Sequence, residues 1–383
     1  MTGEPTAAAD PPPTFPTDTA HAASPGQQPG TAGGTAGAVS PHRPQPLLRR
    51  TVLAVIAIVV MCVPFAVFTV INHEVAASSW ALFAGVTALV NYVLGGRGIG
   101  YLSVGLLTAL TPVAIVSGAV PLAGAGLMAI MCYGVGHSAA RGLHRGMLLI
   151  PLFLAWMIIA PPPWGTVPVD RDSTSYLLWN MLIWGGGALW AVLVFPPLLR
   201  KMKPIPPEPN SRSDTVIYTV TITVLCTLST LAVLIWWPGS NGAWLVVTLL
   251  AITQVGHVET LQRTTARVGG TVIGAVAAAA LATVIGNETV LLVVGLILVV
   301  VAVVVRSGPH YWLYMAFMTP AVVVFSSTSV VNVELTDAQR LSFTLIGAGL
   351  VLLASGITVL WARHQQGPAG DVPGAHRREP AAH

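Results

Sequence analysis

Charge is what this chain lacks most. Of its 383 residues, 8% are Asp, Glu, Lys or Arg while 54% are hydrophobic, and mean hydropathy is +0.74; an average soluble domain carries roughly 25% charge. A protein core cannot absorb that much apolar surface, which excludes an ordinary soluble fold and makes lipid the solvent. Cysteine is scarce too. Cys62, Cys132 and Cys226 fall in separate apolar runs, which excludes a disulfide framework and reads them as small hydrophobes. No nucleophile–base pairing, acidic dyad or cluster of metal ligands stands out, so neither enzyme chemistry nor a cofactor is expected. Acidic side chains and histidine are missing from the middle of the apolar runs, where a proton-driven pump often holds one. The polar residues available there are Asn91, Asn180, Thr108, Thr111, Thr221, Thr223, Thr248, Thr253 and Gln254.

What is present is a series of apolar runs of the length a membrane helix requires, about 20 residues. Twelve are expected: 51–71, 79–95, 99–119, 121–140, 146–162 and 175–198, then 215–237, 242–258, 265–285, 289–305, 310–329 and 341–361. Residues 1–46, rich in Pro, Ala, Gly and Thr, read as a disordered tail with no signal-peptide core. The expected organisation is that tail, a first six-helix repeat over 47–200, a linker over 201–214, a second repeat over 215–363 and a tail over 364–383. The fold class is thus an all-α integral membrane protein of about twelve transmembrane helices in two repeats.

Orientation follows from the arginines. With the N-terminus in the cytoplasm, only Arg171 and Arg340 of the 18 basic residues fall in outer segments, the asymmetry that the positive-inside rule demands. Both termini are then cytoplasmic. The net charge of +4 reflects this orientation, and no nucleic-acid partner is expected. The two halves share landmarks at one offset to within a residue: Trp80 and Trp244, Gly105 and Gly269, Leu182-Ile183 and Leu345-Ile346, Arg200 and Arg363. Halves of six spans each enter from the same side, as repeats related by an axis along the membrane normal.

The stretch TTARVGGTVIGAVAAAAL, residues 264–281, concentrates the functional interest. Glu259, Arg263 and Arg267 recur every four residues, a single stripe on a helix, at the expected cytoplasmic start of a span. Exposed backbone N–H groups there would add to an anion-attracting mouth. The alternative is that both arginines anchor the helix to lipid phosphates. Gly269, Gly270 and Gly274, continued by alanines, form a small-residue face on which two membrane helices can approach closely. Tyr311, Trp312, Tyr314 and Phe317 read either as walls for an aromatic ring or as an interfacial aromatic belt. Arg340, in an outer loop with Glu334 and Asp337, is a candidate release-side contact or a solvated partner of Asp337. His137, Arg141 and His144 fall on one helical face, and Asp170-Arg171-Asp172 reads as a solvated turn.

The pattern Arg267-Val-Gly-Gly270-Thr271-Val-Ile-Gly274 resembles the R-x-x-G-T-x-x-G signature of the fusaric acid resistance-like family of aromatic acid exporters. The stretch HYWLYMAFMTPAVVVFSSTS (310–329) and Gln339-Arg340 followed by Thr344-Leu345-Ile346-Gly347-Ala348-Gly349 resemble that family as well. The similarity covers 215–362 well and 50–200 loosely; Ser103-Val-Gly105 stands where a second arginine would be, and the long cytoplasmic region of larger relatives is replaced by the short linker. The resemblance implies a bacterial inner-membrane exporter, proton-linked, of small aromatic or amphipathic acids. Arg267, Arg263, Tyr311, Tyr314 and Arg340 are then its candidate substrate-binding residues. A small organic acid and the bilayer are the implied partners, with a homo-oligomer left open and a non-transporting membrane scaffold as the second reading.

Overall fold

The computed structural model describes residues 56, 59–72, 75–163, 169–199, 208–285, 287–306, 311–326 and 333–365. These lie within the Pro46–His383 unit of the chain. The expected N-terminal tail, the C-terminal tail beyond residue 365 and the first half of the 201–214 linker fall outside the described residues, as does most of the start of the first span.

The elements are helices throughout the described residues: α1 (Val63–Asn72), α2 (Val75–Ser117), α3 (Pro121–Ala139), α4 (His144–Met147), α5 (Leu149–Ile159), α6 (Thr174–Leu199), α7 (Arg212–Trp236), α8 (Ala243–Ile252), α9 (His257–Val284), α10 (Glu288–Arg306), α11 (Tyr311–Ser326) and α12 (Val333–Gln365). Five of them are long and apolar enough to cross a membrane, in α2, α3, α6, α7 and α12. The protein is a multi-pass membrane protein.

Four expected spans take a different form, each for a local reason. The runs 79–95 and 99–119 are joined in the single element α2, bent where Gly96 adopts φ 78° and ψ −172°, a conformation open only to glycine. The run 146–162 stops as a helix at Ile159, because Pro161, Pro162 and Pro163 follow and proline cannot extend a helix. The run 242–258 is interrupted. Helix α8 has 10 residues, about 15 Å of rise, too little to cross. Thr253 is extended and Gly256, at φ 157°, opens α9.

The packing is that of a protein in lipid. Large apolar side chains face outward: Leu122 is 74% exposed, Ile130 71% and Ile357 68%. Small and polar residues turn inward, with Thr87, Asn91, Thr111, Asn180, Thr230 and Thr248 buried. Several inward hydroxyls, those of Thr87, Ser103 and Thr111 among them, donate to the carbonyl one turn back, as Thr111 Oγ1 does to Leu107 O at 2.6 Å, and these need no water.

Glycines set the closest helix approaches. A Cβ on Gly187 of α6 would collide with the Ala81 backbone of α2, and one on Gly136 of α3 with Thr219 of α7. Helix α8 sits at the centre, buried from Ala243 to Leu250, against α5, α7 and α12. Trp156 of α5 meets Trp244 of α8 edge-on at 5.0 Å between centroids, and Trp80 of α2 lies 5.9 Å from Trp156.

The Asp170-Arg171-Asp172 turn is not simply solvated. Arg171 reaches back into the bundle, donating from Nη1 to Ile115 O at 2.5 Å and to Ile158 O at 3.0 Å. These carbonyls belong to the last turns of α2 and α5, which lack intrahelical partners. One guanidinium therefore caps two helices.

Candidate functional site

Two arginines are buried among the described residues, Arg267 at 8% exposure and Arg340 at 5%. Both come to the same face of α11. Arg267, on α9, places Nη1 3.3 Å from the sulfur of Met315. Arg340, on α12, donates from Nη1 to Thr319 O at 2.9 Å. Met315 and Thr319 are four residues apart, hence neighbours on one helical face.

The glycines make this meeting possible. A Cβ on Gly270 would lie 2.8 Å from Trp312 O and closer still to Met315, and one on Gly274 would lie 2.5 Å from the Thr319 Cβ and 3.0 Å from Pro320. Helix α9 therefore rides against α11 along Gly270 and Gly274, and this close approach puts Arg267 beside Met315. Gly269 does not share the interface: a Cβ there would meet nothing within 4 Å. In a stripe of adjacent glycines only one side can face the neighbour.

Arg267 is poorly satisfied for a buried cation. A thioether is a weak acceptor, and Arg267 Nε has no hydrogen-bond partner. The residue lies inside the bundle and not at an open mouth, as its place at the head of an expected span would suggest, because α9 begins ten residues earlier, at His257. Arg263, one turn before it, is half-buried and lies within electrostatic reach of His144 and Tyr218. The Glu259 side chain of the proposed stripe lies outside the described residues, as does that of Tyr311.

Arg340 departs from its expected outer loop. It is within α12, and its guanidinium lies 4.1 Å from the centroid of the Trp244 ring. Gln339 beside it accepts from Asn241 Nδ2 at 2.8 Å, just ahead of α8. The Asp337 side chain is outside the described residues. Tyr314 is half-buried and Trp312 is 44% exposed. His137 and Arg141 are exposed whereas His144 is buried: α3 ends at Ala139 and Gly142 turns the chain at φ 70°, so the three do not share a helical face. His144 instead meets Tyr218 of α7 edge-on at 5.6 Å, and its Nδ1 has no partner.

A second feature lies at the interruption between α8 and α9. A cavity of about 50 Å³ opens there among α7, residues 253–256 and α12. Asp214, Tyr218 and Thr221 line it from α7, Gln254 and Thr260 from the interruption and α9, and Ser355 from α12. Asp214 stands in the first turn of α7, where its N–H donates to the capping Ser211 Oγ at 3.1 Å. Tyr218 is 2% exposed and its hydroxyl has no partner. Sequence reasoning noted Thr221, Thr253 and Gln254 as polar but gathered no site from them. The legible signal was Thr253-Gln254-Val255-Gly256, a polar pair before a glycine inside an apolar run.

Residues 216–354 match the family model described as "Fusaric acid resistance protein-like", the family that the sequence resembles. The matched region contains Arg267, Arg340, Gly270, Gly274 and most of the cavity lining. Comparison with curated proteins and with solved structures returned no match. The match points to a membrane protein of transport, efflux-related type.

Proposed function

We propose that the protein is a transporter of the bacterial inner membrane that exports small aromatic or amphipathic organic acids. It would have twelve spans in two six-helix repeats, cytoplasmic termini and access alternating between the halves. The observation that carries this reading is Arg267, buried with its Nε unpartnered and only a sulfur against Nη1. A buried guanidinium without an oxygen partner is costly. A substrate carboxylate supplies the missing acceptor, with bidentate geometry, and Arg340 on the same face of α11 adds a second cation. The Trp244 ring, 4.1 Å from the Arg340 guanidinium, suits an aromatic ring.

The test is accumulation of labelled aromatic carboxylates in cells expressing wild type or Arg267→Ala. Lower accumulation with wild type, reversed by the substitution, is the expected result. No change with either protein across a panel of such acids would sink the exporter reading and favour a non-transporting scaffold.

A further inference from the structure

We infer that the cavity among α7, residues 253–256 and α12 is a binding site for a small monovalent cation, sodium in the first place. Size favours a small ion over an aromatic acid. About 50 Å³ holds one or two water-sized species, whereas sites for drug-sized organic molecules run to roughly 300 Å³ and above.

The lining then bears on the sign of charge. Four of its side-chain donors are already spent on the protein's own carbonyls. Thr253 Oγ1 donates to Leu249 O at 2.7 Å, and Thr260 Oγ1 donates to Gly256 O at 2.7 Å. Gln254 Nε2 donates to Thr253 O at 2.8 Å, and Thr358 Oγ1, also on the lining, to Ala354 O at 2.8 Å. What these groups have left to offer is oxygen lone pairs. The Tyr218 hydroxyl, buried and without a partner, is a further oxygen on the lining residues.

Two electrostatic features act in the same direction. The carbonyl end of α8 terminates at the interruption, and a helix C-terminus carries partial negative charge. Asp214, exposed and accepting from Ser211 Oγ at 2.6 Å through Oδ2, adds a carboxylate at the rim of the lining. Hard oxygen donors from an interrupted helix, hydroxyls and a carboxylate are the environment in which transporters hold a coupling sodium ion. Arg263 lies within electrostatic reach of Tyr218 and opposes the bound charge, so affinity is weak, and the site empties readily as a coupling site must.

Binding itself does not rest on the exporter reading; only its role in coupling does. The experiment is therefore made without any organic acid. The full chain in lipid nanodiscs is titrated with radioactive sodium chloride against choline chloride at constant ionic strength, with lithium and potassium chloride as competitors. Saturable binding of sodium is expected, weakened roughly tenfold or more by Asp214→Asn and less by Ser355→Ala. Ser355→Ala removes one hydroxyl without disturbing a cap or a glycine, so it keeps the test meaningful if the aspartate variant fails to fold. No saturable sodium binding, or binding unchanged in a folded Asp214→Asn and in Ser355→Ala, would overturn the proposal and leave a cavity for water alone.

Discussion

The guanidinium of Arg340 lies 4.1 Å from the centre of the Trp244 ring while donating to Thr319 O, so one side chain of α12 ties α8 to α11. A desolvated cation–π contact is worth about 2 kcal/mol, and a charged hydrogen bond to a buried carbonyl about 1.5–3 kcal/mol. Arg340→Lys is not conservative here, because an ammonium does not stack on the indole as a planar guanidinium does. Thermal unfolding in detergent should place Arg340→Lys and Trp244→Leu both below wild type. The double variant should lose less than the sum of the two, by about 1–2 kcal/mol. Strict additivity would show that the ring and the cation do not interact.

Gly270 and Gly274 should tolerate no side chain. Valine at either meets backbone or a β-carbon of α11, and overpacking of this kind costs about 1–3 kcal/mol. Gly269→Val, directed into open space, should stay within about 0.5–1 kcal/mol of wild type, the small loss or gain expected where only propensity changes. Melting temperatures of the three variants in the same lipid give the comparison; equal losses at all three would contradict the interface described.

Arg267 offers a way to separate function from stability. If the guanidinium is held for a ligand, replacing it with an apolar residue of similar length removes an uncompensated charge. Arg267→Met is therefore expected to match or exceed wild-type stability, by about 1–4 kcal/mol on the precedent of buried charges replaced by hydrophobes, while losing export. A variant that unfolds instead would assign Arg267 a structural role.

Arg171→Gln should loosen two helix ends at once. The carbonyls of Ile115 and Ile158 lose their guanidinium donor, at a cost of about 1–3 kcal/mol for unsatisfied buried groups. Amide exchange should quicken in the last turns of both α2 and α5, and quickening confined to the loop around Arg171 would count against the double cap.

The helical membrane character and the approximate positions of most helices were legible in the residues themselves, because apolar length and the scarcity of charge act locally and leave no other fold open. The small-residue stripe at 269–274 was legible in kind. Which of its glycines face a partner was not, since that depends on the rotation of α9 against α11. Arg340 shows the same limit. A charge next to Glu334 and Asp337 reads as a loop by composition, and only the tertiary arrangement reveals Trp244 and Thr319 waiting for it. The cavity lining was the least legible of all, for its members come from three separated stretches of the chain. Individually, Asp214, Gln254 and Ser355 are unremarkable polar residues. The sequence by itself determined that this chain lives in lipid and folds into helices, because solvent transfer energies sum along each segment. Tertiary structure alone decided where Arg267 is buried and which oxygens face one another, because those depend on how helices distant in sequence are rotated and brought into contact.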